Sequence, residues 1–162
     1  MSETDDARKL KVAIGSDHAG YDLKEDLASA LREDGYDIDD LGTYSTESCD
    51  YPDIAVAVAT QVAAGRYDRG ILICGTGIGM TITANKVKGI RAAAVSDTYS
   101  ARMARAHNNA NVVGMGGRVV GAGLAHEIAK VFLETDFEGG RHERRVNKIN
   151  ALDARREEQV GS

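Results

Sequence analysis

The chain is poor in cysteine, has a single proline and no tryptophan, and contains no long apolar run. Each scarcity excludes something. Two cysteines, Cys49 and Cys74, are too few for a disulfide scaffold, and without an export signal they are expected to stay reduced. No apolar stretch approaches the ~20 residues that a membrane span requires, so no membrane partner is expected. The opening MSETDDARKL is polar and acidic, with no apolar core and no A-x-A cleavage pattern; it reads as a cytoplasmic start and not as a secretory signal. There is no N-x-S/T sequon. A formal charge of −5 gives the chain no general attraction for nucleic acid. Its four histidines form neither an H-x-x-x-H pair nor a Cys/His cluster, so no metal and no other cofactor is expected.

What is present suits one ordinary domain. Of the 162 residues, 43% are hydrophobic and 28% charged, enough to close a single core. Residues 1–9 read as a disordered extension, 10–155 as the domain and 156–162 as a disordered tail. Along the domain, short apolar runs alternate with helical ones. Residues 11–15 read as a buried strand, and 21–34 as a helix with Leu23, Leu27, Ala30 and Leu31 on one face, ended by Gly35. A weaker strand is predicted at 37–41, then a polar loop over 42–51 and a helix over 54–64 opened by Pro52. The clearest strand, GILIC at 70–74, runs into a glycine loop and a short helix ending near Val87. Strands follow at 90–95 and 112–115. Helices are predicted from a cap at Ser96 or Asp97 to His107 and over 124–133. The charged segment 143–158 carries a thin stripe of Val146, Ile149 and Leu152, better suited to docking on a partner subunit than to forming a core. About five strands alternating with helices imply an α/β fold, a parallel sheet covered on both faces.

In such a sheet, ligands bind beyond the carboxyl ends of the strands. Three places are candidates: Asp17 and His18 after the first strand, Cys74 with Gly75, Thr76, Gly77, Ile78 and Gly79 after GILIC, and His107 with Asn108 and Asn109 after a helix. Glycines at alternate positions let backbone amides converge on an anion; the plainer reading is a tight strand-to-helix turn. A dinucleotide fingerprint fails because the third glycine comes one residue early, and a P-loop fails because no Gly-Lys-Ser/Thr closes the run. Cys74 is by default a buried structural thiol, but converging amides favour its thiolate and make it a candidate base. Cys49, in a polar loop, reads as inert, and His126 as a surface histidine. His18 and His107 are candidate acid–base groups. No G-x-S-x-G is present, which disfavours a serine hydrolase of that design. Of the basic cluster near the C terminus, Arg144 and Lys148 read as a solvated face, whereas Arg141 and Arg145 share a helix face and suit a phosphate.

These motifs together resemble the type B ribose-5-phosphate isomerase family, which also includes galactose-6-phosphate isomerase subunits. The stretches that carry the resemblance are GSDHAGYDLK (15–24), GTYSTESCDYPD (42–53), GILICGTGIGM (70–80), ANKVKGIRA (84–92), AHNNANVVGMGGR (106–118) and EGGRHERRV (138–146). They span roughly residues 10–155 in order. The resemblance implies a Rossmann-like three-layer αβα sandwich, a homodimer or tetramer with the site between subunits, and a sugar phosphate as the small-molecule partner. It implies Cys74 as the base that moves a proton between C2 and C1, and His107 as the group that opens the furanose ring. Thr76 and the amides of Gly75 to Gly79 would hold the enediolate, and Asp17 and Asn108 the sugar hydroxyls. His18, Arg118, Arg141 and Arg145 would hold the phosphate. Relatives without the cysteine use a glutamate where this chain has Met80. The departures, Thr83 in a usually small position and a long N-terminal extension, do not touch this chemistry. A competing reading, a non-catalytic nucleotide- or phosphate-binding module, would make Cys74 dispensable and leave its coincidence with His107 and paired arginines unexplained.

Overall fold

A computed structural model describes residues 9–160, with side chains described through residue 156. The expected N-terminal disorder therefore falls almost wholly outside the described residues. Five parallel strands, β1 (Lys11–Ser16), β2 (Asp37–Asp40), β3 (Arg69–Cys74), β4 (Ala92–Ala94) and β5 (Val112–Gly116), form one sheet in the order β2-β1-β3-β5-β4. β1 and β3 are adjacent but are left in opposite directions by their following crossovers, so the strand order reverses between them. That reversal opens a crevice at their carboxyl ends.

Six helices complete the three layers. α1 (Tyr21–Glu33), α4 (Thr98–Ala106) and α5 (Ala122–Glu134) cover one face, burying Leu27, Leu31, Ile128 and Phe132 against Ile14, Ile71 and Met115. α2 (Tyr51–Ala63) and α3 (Ile78–Ala84) cover the other, with Val58, Val62 and Met80 against Leu72 and Val112. Buried on both sides, β3 can be apolar throughout, which is why GILIC reads so clearly as a strand.

Three boundaries differ from expectation for local reasons. α3 ends at Ala84 because the Asn85 side chain leaves the helix to bond Ala92, donating Nδ2 to its carbonyl (2.9 Å) and accepting from its amide (2.7 Å). β4 is shorter than 90–95 because at its entry Asn111 Oδ1, not a neighbouring strand, accepts the Arg91 amide (2.8 Å). α6 (Arg141–Val160) begins earlier and continues through most of the segment read as a disordered tail. Val146 of its apolar stripe is buried within the chain, whereas Ile149 and Leu152 stay 45% and 54% exposed. No helix among the described residues is long and apolar enough to cross a membrane.

Candidate active site

At the crevice, β1 delivers Asp17 and β3 delivers Cys74. The Asp17 amide donates to the Ile73 carbonyl (3.1 Å), tying the two strand ends together. The Asp17 side chain is buried, and its Oδ1 accepts the Gly20 amide (3.0 Å) at the entry to α1. His18 is half-buried; its Nδ1 accepts the Cys49 amide (3.2 Å), so the neutral ring carries its proton on Nε2, the nitrogen left for a ligand. Cys49, read as inert, thus orients His18 through its backbone.

The glycine loop wraps the Cys74 thiol. Sγ is buried and accepts the Gly77 amide (3.1 Å), and Thr76 Oγ1 accepts the Ile78 amide (3.2 Å). Two of the amides expected to face an anion are therefore engaged inside the loop. Gly77 has φ 82° and lies so close to β5 that a Cβ would fall 2.8 Å from the Met115 carbonyl carbon. Only glycine satisfies both constraints. Ile78 turns its side chain to solvent. Arg118, just past β5, donates its amide to Gly75 O (3.1 Å), and its guanidinium passes 3.4 Å from where a Gly75 Cβ would stand. Cys74, Asp17, His18, the loop and Arg118 thus share the carboxyl edge.

His107 and its neighbours do not. Rule and register agree on this: a helix that follows a parallel strand returns the chain to the amino edge, and the Gly70 amide at the start of β3 bonds Asn111 O (2.9 Å). Gly70 pairs with Val112 and Cys74 with Gly116, so the height of the sheet, roughly 13 Å for four residue steps, separates the His107 end from Cys74. Placing 107–109 with the strand-end ligand positions was therefore wrong for a single chain. Asn109 is a clamp, with φ 48°, its Oδ1 accepting from Arg105 Nη1 (2.8 Å) and its carbonyl from Arg91 Nε (3.0 Å). Beneath it Arg105 is buried; burial first, then the positive charges of Arg69 and Arg91, bring its guanidinium down to about 10. Asn108 is exposed.

The same edge holds the first turn of α6. Arg141 and Arg145 are exposed and make no salt bridge among the described residues. Between them, His142 stacks on His107, with ring centroids 4.1 Å apart and planes 9° from parallel. This residue was missed on reading the chain; the signal, a histidine inside GGRHERR, lay between the two arginines. His107 Nε2 lies 3.9 Å from Glu138 Oε1. Ligand atoms of His107, Glu138 and His142 come within 4.8 Å of one another. The rings are nearly parallel, however, so their in-plane lone pairs do not converge on one ion. Further along, a groove of ≈ 380 Å³ between α6 and the β4 edge is lined by Arg91, Asn108, Asn150 and Leu152. Cys74 is not among its lining residues.

Residues 12–149 match the family model described as Ribose/Galactose Isomerase. Ribose-5-phosphate isomerase B of Escherichia coli is 49% identical over 146 residues, 90% of this chain and 98% of that protein. D-erythrulose-4-phosphate isomerase of Pectobacterium atrosepticum is 48% identical over 141 residues, 86% of this chain and 93% of the relative. Among solved structures, ribose-5-phosphate isomerase B of Clostridium thermocellum superposes with a TM-score of 0.88 at 51% identity, over 90% of this chain and 99% of that one. The chain belongs to the ribose/galactose isomerase family and is an aldose–ketose isomerase of sugar phosphates.

Proposed function

We propose that the chain interconverts ribose 5-phosphate and ribulose 5-phosphate through an enediolate, in sites each shared by two copies of the chain. The observation that carries the reading is the Cys74 thiol at the crevice, held by the Gly77 amide and flanked by Asp17. As thiolate, Sγ takes the C2 proton of the open-chain aldose and returns it to C1, while the hydroxyl proton passes from O2 to O1. Negative charge develops on oxygen, and the loop amides not used internally, those of Gly75, Thr76 and Gly79, stabilise it; an oxyanion donor of this kind contributes about 3 kcal/mol. Asp17 holds a sugar hydroxyl, and His18 and Arg118 face the phosphate. None of these steps calls on a metal.

Ring opening needs a further acid–base group once Cys74 serves as base, Asp17 holds a hydroxyl and His18 faces the phosphate. A second copy presenting its amino edge supplies His107 for the ring oxygen, Asn108 for a hydroxyl, and Arg141 and Arg145 for the phosphate. Two-fold pairing would make the exchange reciprocal and complete two sites at once. The open Ile149 and Leu152 on α6 offer apolar area for that contact, whether the assembly stops at a dimer or continues to a tetramer. The same chemistry on a shorter or longer sugar phosphate is the second reading, favoured by the relative named for erythrulose 4-phosphate.

Purified protein in excess EDTA, offered ribose 5-phosphate, erythrose 4-phosphate, allose 6-phosphate and galactose 6-phosphate in parallel, tests both readings. Conversion of ribose 5-phosphate fastest, undiminished by chelator, is the expected result. A clear preference for another sugar phosphate would keep the chemistry and overturn the substrate.

A further inference from the structure

We propose that His142 is a positioning residue that holds the His107 ring in the attitude needed to open the sugar, an inference that rests on the ring-opening role given to His107 above. The two rings come from different elements, the C-cap of α4 and the first turn of α6, and meet face to face at 4.1 Å and 9°. The chain invests in that meeting. Gly139 and Gly140 take φ of 67° and 56°, a backbone that side chains rarely adopt, and turn the chain back directly before α6. The Glu138 amide bonds Ala106 O (3.0 Å), and the His142 amide bonds Gly139 O (3.0 Å), so the turn is pinned to the residue preceding His107.

Stacking fixes the plane of a ring, because a neighbouring face at contact distance bars it from tilting out of that plane. His107 has its backbone amide on Met103 O (2.9 Å) and only a distant carboxylate, Glu138 at 3.9 Å, near Nε2. The stack holds His107 by a whole ring face, whereas Glu138 approaches it at one atom. The charged groups facing the pair are Glu138 from the turn and Arg141 and Arg145 from α6. Partial burial first, then repulsion from His107 and Arg141, hold the His142 ring below the usual imidazole range, which favours a neutral ring in the stack. The placement between Arg141 and Arg145 also ties the stack to the phosphate grip: seating the phosphate orders the turn of α6 that carries His142.

The substrates themselves separate ring opening from proton transfer. Ribose 5-phosphate is largely a closed furanose, whereas ribulose 5-phosphate has its C5 hydroxyl esterified and no ring to open. His142→Ala is expected to lower kcat for ribose 5-phosphate by about 10-fold or more, within the span of a misplaced acid–base group, with KM within about 2-fold. Conversion of ribulose 5-phosphate, read as open-chain aldose captured by an aldehyde reagent, should fall far less, because that product leaves without any ring being opened or closed. His142→Phe, which keeps a stacked ring but cannot titrate, should restore most of the forward rate. Equal losses in both directions, or an unchanged forward kcat in His142→Ala, would overturn the assignment. Absence of turnover in the unmodified protein would instead remove the ring-opening reading beneath it.

Discussion

Cys74→Ala is expected to lower isomerisation of ribose 5-phosphate by at least about 10³-fold, in the range for a lost general base, while binding of a phosphorylated sugar persists. The thiol is both the proposed base and the acceptor of the Gly77 amide, so the substitution has a structural side. An orphaned buried amide costs about 1–3 kcal/mol, which a domain of this size tolerates. Cys74→Ser separates the two effects. A hydroxyl keeps an acceptor for the Gly77 amide but is far too weak an acid to serve as base at neutral pH. Both variants should therefore be folded and inactive. Turnover retained in either would take Cys74 out of the proton transfer, and the binding-module reading would gain if adenine nucleotides then raised the melting temperature.

The second large effect lies on the opposite edge. Arg141→Ala combined with Arg145→Ala is expected to raise KM for ribose 5-phosphate by about 10²-fold or more, since each charge-assisted hydrogen bond to a phosphate contributes about 1.5–3 kcal/mol. Both side chains are exposed, so thermal unfolding should hardly change. If kcat changes much less than KM, the pair grips the substrate remotely; if KM is unchanged, these arginines are a solvated helix face like Arg144 and Lys148.

The parts of the fold that could be read from sequence are those where periodicity has one cause. GILIC is buried on both faces and the α1 stripe on one, so both stand out. Lys24 breaks the pattern: it is fully buried, its Nζ donating to Asp40 Oδ2 (2.5 Å) and Thr43 O (2.7 Å), which pins the loop leading to Cys49. Beyond the adjacent Glu25, an ordinary surface pairing, nothing local marks this lysine as buried, because its two shortest bonds reach partners 16 and 19 residues away. The carboxyl-edge half of the candidate site was legible because strand, loop and glycines are contiguous. His107, Asn108 and Asn109 were read with the strand-end positions, although the direction of a helix after a parallel strand already placed them on the other edge. Val146 was credited to a partner surface and instead packs within the chain, since apolar spacing on a helix does not say which neighbour it meets. His142 escaped notice because stacking on His107 depends on the two-glycine turn before it, a tertiary fact.

The central claim is that Cys74 and His107, at opposite edges of one sheet, serve the same site from different copies of the chain. Co-expression of Cys74→Ala and His107→Ala chains under different affinity tags, followed by isolation of the mixed assembly, tests it directly. Each variant alone should be slow on ribose 5-phosphate. In the mixed two-fold pair one site carries both lesions and the other neither, so about half of the unmodified activity should return. A mixed assembly no faster than the two variants measured separately would contradict the shared site.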